Sequence, residues 1–242
     1  MKIGYTKCKQ VITNYIAARL IPEPNSIADI DLNNVIFKEE DGTSLITILD
    51  HSKGLLIMSQ SPACLVAQYH DLIFFDGIFN VTPSLYYQLC SFHIYVKQYK
   101  TIILGALILL TGKSKEHYDF AFNSIKNIVS NYTIRNIPYS PKNFMIDKED
   151  AICSSIKTIW PNTEIKLCYF HFWQTILKRV NNNYFKNLIR NNPSIEKIIY
   201  GSKALVLIPP EVVIPIWEKL KKKNITIADP FLNEYVQYFD QE

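Results

Sequence analysis

An unbroken stretch without one polar side chain, Ile102-Ile103-Leu104-Gly105-Ala106-Leu107-Ile108-Leu109-Leu110, leaves few structures open to this chain. It is about half the length that a bilayer span requires, so it must be buried inside protein. The run predicts a β-strand buried on both faces, and such a strand belongs in a sheet with layers packed against it. Leu72-Ile73-Phe74-Phe75-Asp76 reads as another buried strand, ending on an acid, and residues 86–96 as a strand between the two. Three strands in succession predict an antiparallel meander.

Downstream the apolar period changes. Ser114 is placed to cap a helix in which Tyr118, Ala121, Phe122, Ile125, Ile128 and Val129 share one face. A strand at 143–146, a helix at 148–160, a strand at 164–169 and a helix from about 171 to 180 follow. The order β-β-β-α-β-α-β-α predicts an α/β (α+β) fold with a mixed five-stranded sheet and helices on its faces. Upstream, Cys8, Val11, Ile12, Tyr15 and Ile16 form a helical stripe within residues 1–20. Residues 44–49 and 55–58 read as a hairpin around Asp50-His51-Ser52-Lys53-Gly54, and Ser61-Pro62 opens a short helix running to residue 69. After Val180 the pattern is helical only, with Pro215 interrupting the face formed by Val213, Ile216, Trp217 and Leu220; that helix is kinked or starts late. These shifts divide the chain into an N-terminal extension (1–69), a core (70–180) and a helical segment (181–242).

Composition excludes more than it identifies. Only 7 of the 242 residues are Gly, and neither G-x-G-x-x-G nor G-x-x-x-x-G-K-[ST] occurs, which argues against a glycine-rich phosphate loop. The net charge of +4 is mild for a protein that tracks a nucleic-acid backbone by charge alone. The densest basic run, Lys219 with Lys221, Lys222 and Lys223, is explained as a helix C-terminus, with a DNA-contacting patch as the alternative. Five scattered cysteines, Cys8, Cys64, Cys90, Cys153 and Cys168, with no signal peptide ahead of them, predict free thiols in a reducing, intracellular setting. No membrane association is expected.

Three features could carry chemistry. Asp76 ends a strand whose apolar run commits it to burial, and a carboxylate there needs a cation or hydrogen-bond donors. The structural alternative is an Asp-Gly turn. Asp147 repeats the pattern after Phe144-Met145-Ile146, with a helix cap as its alternative. If the first and fourth strands of the core are neighbours, the two carboxylates converge at one end of the sheet, an arrangement suited to Mg²⁺ acting on phosphates. The third feature, Cys168-Tyr169-Phe170-His171, is at most half of a tetrahedral zinc site and is otherwise explained by packing.

Taken together, four segments resemble the transposase domain of Mutator-like elements: 74–83 (FFDGIFNVTP), Tyr86-Tyr87-Gln88-Leu89, Met145-Ile146-Asp147-Lys148-Glu149-Asp150-Ala151, and Cys168-Tyr169-Phe170-His171-Phe172. The resemblance covers about residues 70–180. It implies an RNase H-like fold and a DDE-type transposase, in which two aspartates and a distant glutamate hold two Mg²⁺ or Mn²⁺ ions for cleavage and transfer of DNA strands. Asp76 and Asp147 match the first two acids as catalytic and metal-binding residues. Cys168 and His171 match the family's C-x-x-H, taken here as a structural motif. The family further implies transposon-end DNA as partner, a nuclear location and, as an open question, self-association. The third acid is expected within an Asn-x-x-Glu-x-x-Asn-like helix, and none of Glu196, Glu211, Glu218 and Glu234 sits in such a context. The expectation is therefore a transposase-derived domain, short at both ends and inactive by itself. A co-opted DNA- or protein-binding module, or a nuclease completed by another acid or chain, are the alternatives.

Overall fold

The computed structural model describes residues 24–31, 38, 42–59, 71–78, 82–132, 139–225 and 229–241. The helices expected within 1–20 and 63–69 lie outside them. Along the chain run β1 (Ile46–Asp50), β2 (Leu55–Met58), β3 (Leu72–Ile78), β4 (Gln88–Val96), β5 (Thr101–Leu110), α1 (Lys115–Tyr132), β6 (Asn143–Ile146), α2 (Asp150–Ile159), β7 (Glu164–Leu167), α3 (Tyr169–Arg179), α4 (Asn183–Asn191), α5 (Pro193–Leu205), α6 (Pro210–Asn224) and α7 (Pro230–Gln241). No helix among the described residues is long and apolar enough to cross a membrane.

The strands form a mixed sheet in the order β1-β2-β5-β4-β3-β6-β7. The meander is present, with β3 antiparallel to β4 and β4 to β5. On the other side β3, β6 and β7 run parallel. The five core strands thus follow the RNase H-like order. The sheet has seven strands rather than the expected five because the hairpin is not an appendage: β2 pairs antiparallel with β5 from Leu55↔Leu110 to Met58↔Leu107. An apolar strand as long as β5 supplies more ladder than β4 covers with apolar partners, and β2, itself Leu-Leu-Ile-Met, takes the free side. The hairpin turn requires Gly54, whose φ of 58° is left-handed and where a Cβ would collide with the Thr111 side chain.

Strand alternation decides what faces where. Ile73 and Phe75 of β3, Phe92 of β4, Ile108 and Leu110 of β5, and Phe144 and Ile146 of β6 all point to one face, where α1 and α2 cover them. Phe122 of α1 sits at the centre, its ring 4.9 Å from Phe75 and 5.7 Å from Trp160. On the opposite face a smaller cluster, Leu56, Tyr86 and Leu109, serves the hairpin end of the sheet. The apolar run of β5 is buried only in its second half. Ile102 and Leu104 are 51% and 44% exposed, because in the described residues no layer covers that part of the second face.

Helices α3 to α7 build a separate core from Ile176, Phe185, Ile195, Ile199, Trp217, Leu232 and Tyr235. Pro215 is accommodated inside α6, which begins on Pro210, so the helix starts early and runs through its proline. Capping here is local: the Asn182 and Asn192 side chains accept from the first-turn N–H groups of α4 and α5.

A buried polar chain ties the two halves of the core together. Gln88 Nε2 donates to Tyr118 Oη at 2.9 Å, and Tyr118 Oη donates to Glu149 Oε1 at 2.9 Å. Burial, chiefly, holds the Tyr118 hydroxyl protonated far above the usual tyrosine range. Replacing Phe122 with Ala should lower the unfolding free energy by about 3–5 kcal/mol through cavity formation. Tyr118→Phe should lower it by about 1–3 kcal/mol, because Glu149 loses its donor. Urea unfolding of the two variants against the parent checks both values.

Candidate active site

The face of the sheet turned away from α1 and α2 carries the acids. Since Ile73 and Phe75 point into the core, Phe74 and Asp76 point the other way. By the same alternation Phe144 and Ile146 leave Met145 and Asp147 on the second face. The parallel pairing of β3 with β6 joins Leu72 to Asn143, Ile73 to Phe144 and Phe74 to Met145, an offset of 71 residues at every step. Asp76 and Asp147 are separated by the same 71 residues, so they come abreast where β6 ends. The convergence expected from the sequence follows directly from that register.

Both acids line a cleft of about 320 Å³ together with Phe74, Ser91, His93, Met145, Cys168 and His171. The C-x-x-H segment reaches it because the Cys168 N–H donates to the Ile146 carbonyl at 2.8 Å, which extends the β6–β7 ladder by one step before α3 begins. One turn into α3, His171 Nε2 lies 3.6 Å from Asp76 Oδ1. The other ring nitrogen, Nδ1, is buried without a hydrogen-bond partner. Cys168 caps α3 without a side-chain hydrogen bond, so the positive end of that helix is unneutralised by its own cap and lies beside the two carboxylates.

Asp147 sits in a tight turn. Its Oδ1 accepts from the Lys148 N–H at 2.7 Å, and its carbonyl accepts from the Glu149 N–H at 2.9 Å. Glu149, in the same turn, is the residue gripped by Tyr118. The loop bearing the second acid is therefore anchored to α1 on the far side of the sheet.

His93 was not among the residues the sequence singled out. It is paired with Phe74 across β3 and β4, and so lies on the acid face, next to a β-bulge in the β4–β5 ladder at Phe92/His93. The alternation of β4 held the signal, but with no assigned partner strand it could not be tied to Asp76. Ser91, opposite Asp76, was missed for the same reason. Of the late-chain glutamates, none lines the cleft. Among the described residues no three His, Cys, Asp or Glu side chains converge as a metal-holding group, so Asp76 and Asp147 are joined by no third acid there.

The charge of Asp76 reaches its neighbours. Burial pushes the His93 imidazole below its ordinary pKa, and the Asp76 carboxylate opposes that by favouring the protonated ring. The Cys90 thiol, opposite Gly77, is pushed up to about 12, first by burial and then by Glu149 and Asp76. Asp76→Asn removes the influence that raises the His93 pKa, so in an NMR pH titration that histidine should titrate lower still; an upward shift would show that the carboxylate does not act on it.

A comparison with protein-family models matches residues 72–175 to the MULE transposase domain. A search of curated proteins finds no match. The matched segment opens on β3, holds Asp76, Asp147, Cys168 and His171, and closes within α3. With the RNase H-like strand order and two acids abreast at its centre, the chain carries a MULE transposase domain over residues 72–175.

Proposed function

We propose that this domain holds the phosphodiester backbone of DNA in the cleft between β3 and β6, and that the described part of the chain supplies two of the three acids that strand cleavage needs. The observation that carries the reading is the matched register: 71 residues of offset between the strands and 71 between the acids. No other spacing would bring both carboxylates to one phosphate.

The donor set fits one divalent ion better than two. Asp76 and Asp147 offer hard carboxylate oxygens in an open cleft, which suits an ion such as Mg²⁺ or Mn²⁺ that keeps several of its waters. Two ions 3.5–4 Å apart, as in two-metal phosphoryl transfer, require further carboxylate ligands. When bound, such an ion would polarise the phosphate and neutralise charge developing on it. The chain's own part is to orient the phosphate by the carboxylates, with the open N-terminus of α3 favouring the anion and His171 fixing one side of Asp76. Lacking a third ligand misplaces this charge stabilisation, a defect that costs on the order of 10²–10³ in rate. Cleavage then depends on an acid from outside the described residues.

The exposed lysines of α6, Lys219, Lys222 and Lys223, support DNA contact away from the cleft. Lys221, by contrast, is held by Glu218 and Asp240 at 2.7 Å each. A nuclear location and self-association accord with this reading and belong to the proposal.

Calorimetric titration with Mn²⁺ should give about one ion per chain, with binding lost in Asp76→Asn and in Asp147→Asn. The purified chain should not nick supercoiled plasmid in Mg²⁺ or Mn²⁺. Robust nicking that Asp76→Ala abolishes would show that the site is complete and overturn the proposal. Binding to DNA should weaken linearly in log K against log salt, with a slope that counts the phosphates contacted.

A further inference from the structure

Beside the acid cleft lies a larger cavity, of about 570 Å³, between the Asp147 turn, α3, the end of α5 and α7. Asp147 and Cys168 belong to the walls of both, so the two spaces adjoin at the second acid. The walls of the larger one are aromatic and aliphatic, with Tyr169 and Phe172 from α3, Leu207 after α5 and Tyr238 from α7. Its rim is apolar and open: Leu207 is 71% and Leu167 52% exposed. Nothing in the second face of the sheet or in the helical core uses these side chains.

Cations distinguish this cavity from an ordinary apolar groove. Lys148 lies in its wall next to Asp147. The Arg179 guanidinium stacks on the Tyr238 ring at 3.4 Å from its centroid. Lys203 stands 5.8 Å from the Tyr169 ring and 4.1 Å from that of Trp173. Rings backed by cations around an apolar space complement a ligand that joins a flat π-system to negative charge. A purely apolar peptide would leave those cations without a purpose, and a free phosphate would leave the rings without one.

We propose that this cavity takes one unpaired nucleotide of a DNA strand, its base among Tyr169, Phe172, Leu207 and Tyr238 and its phosphate towards Lys148, while a neighbouring phosphodiester lies at Asp76 and Asp147. The proposal rests on the reading of the cleft as a DNA site and deepens it. A base stacked within a duplex has both faces covered and cannot enter, so the cavity selects a strand that is single or locally opened. Its place beside Asp147 then sets which phosphate in the strand meets the acids.

The test uses the full chain and a short single-stranded oligonucleotide, compared by fluorescence anisotropy with a series in which one base at a time is replaced by an abasic site. Loss of one base should weaken binding roughly 5- to 100-fold at a single position, the range expected for one base–aromatic stack. Leu207→Asp, at a residue too exposed to matter for folding, should bring the intact strand down to the affinity of that abasic one and abolish the difference between them. Lys148→Gln should reduce the slope of log K against log salt by about 1. A flat abasic series in a protein that still binds DNA would overturn the cavity assignment and leave the cleft reading standing. So would an abasic difference that Leu207→Asp does not alter. Failure to bind any oligonucleotide or duplex would instead overturn the cleft reading itself.

Discussion

The clamp of α1 and α2 on one face of the sheet decides what the other face can be. Phe122 and Trp160 bring their rings against Phe75 and Phe144, and those two residues fix the parity of β3 and β6. Once Phe75 is inside, Asp76 must be outside, and Ile146 commits Asp147 in the same way. A slip of one residue in either strand would bury a carboxylate in the aromatic core and expose a large apolar side chain. The position of the acids is thus enforced by hydrophobic packing on the opposite side of the sheet, with no contact between the acids and the residues that place them.

Much of this was legible because the relevant patterns are local. The apolar run of β3, the helical stripe of α1 and the strand–acid–helix sequence around Asp147 each declare their structure within a dozen residues. The convergence of Asp76 and Asp147 needed one further assumption, that the first and fourth core strands are neighbours, and the pairing of Leu72 with Asn143 meets it. The hairpin's place in the sheet was not legible. Leu55 to Met58 look the same whether they pair with one strand or with two, and the choice depends on the free side of β5 more than fifty residues away. His93 was hidden for the same reason, since its importance comes from standing beside Phe74 on another strand.

Aromatic residues after Cys168 were the other difficulty. In the sequence, Tyr169, Phe170, Phe172 and Trp173 form one block that reads as core. In the fold the block divides by helical phase. Phe172 and Trp173 pack against the helical core, whereas Tyr169 and Phe170 are exposed at the start of α3. A helix that begins at a strand end and is uncapped by its own side chains presents its first turn to whatever lies beyond the strand, here the acid cleft. Periodicity could assign the inner face, but only the direction in which α3 leaves β7 assigns the outer one.

The 71-residue offset between β3 and β6 also bears on how the molecule acquires its chemistry. Closing a loop of that length costs on the order of 4 kcal/mol in chain entropy before any contact repays it. The meander β3-β4-β5 closes only short loops, and α1 follows it directly, so these parts can assemble first and offer β6 a finished surface. A chain halted at that stage already holds Asp76, solvated and harmless, with Asp147 still tens of residues of unordered chain away. Metal affinity would therefore appear late and abruptly during folding, with the docking of β6, and incomplete chains would carry an acid but no site.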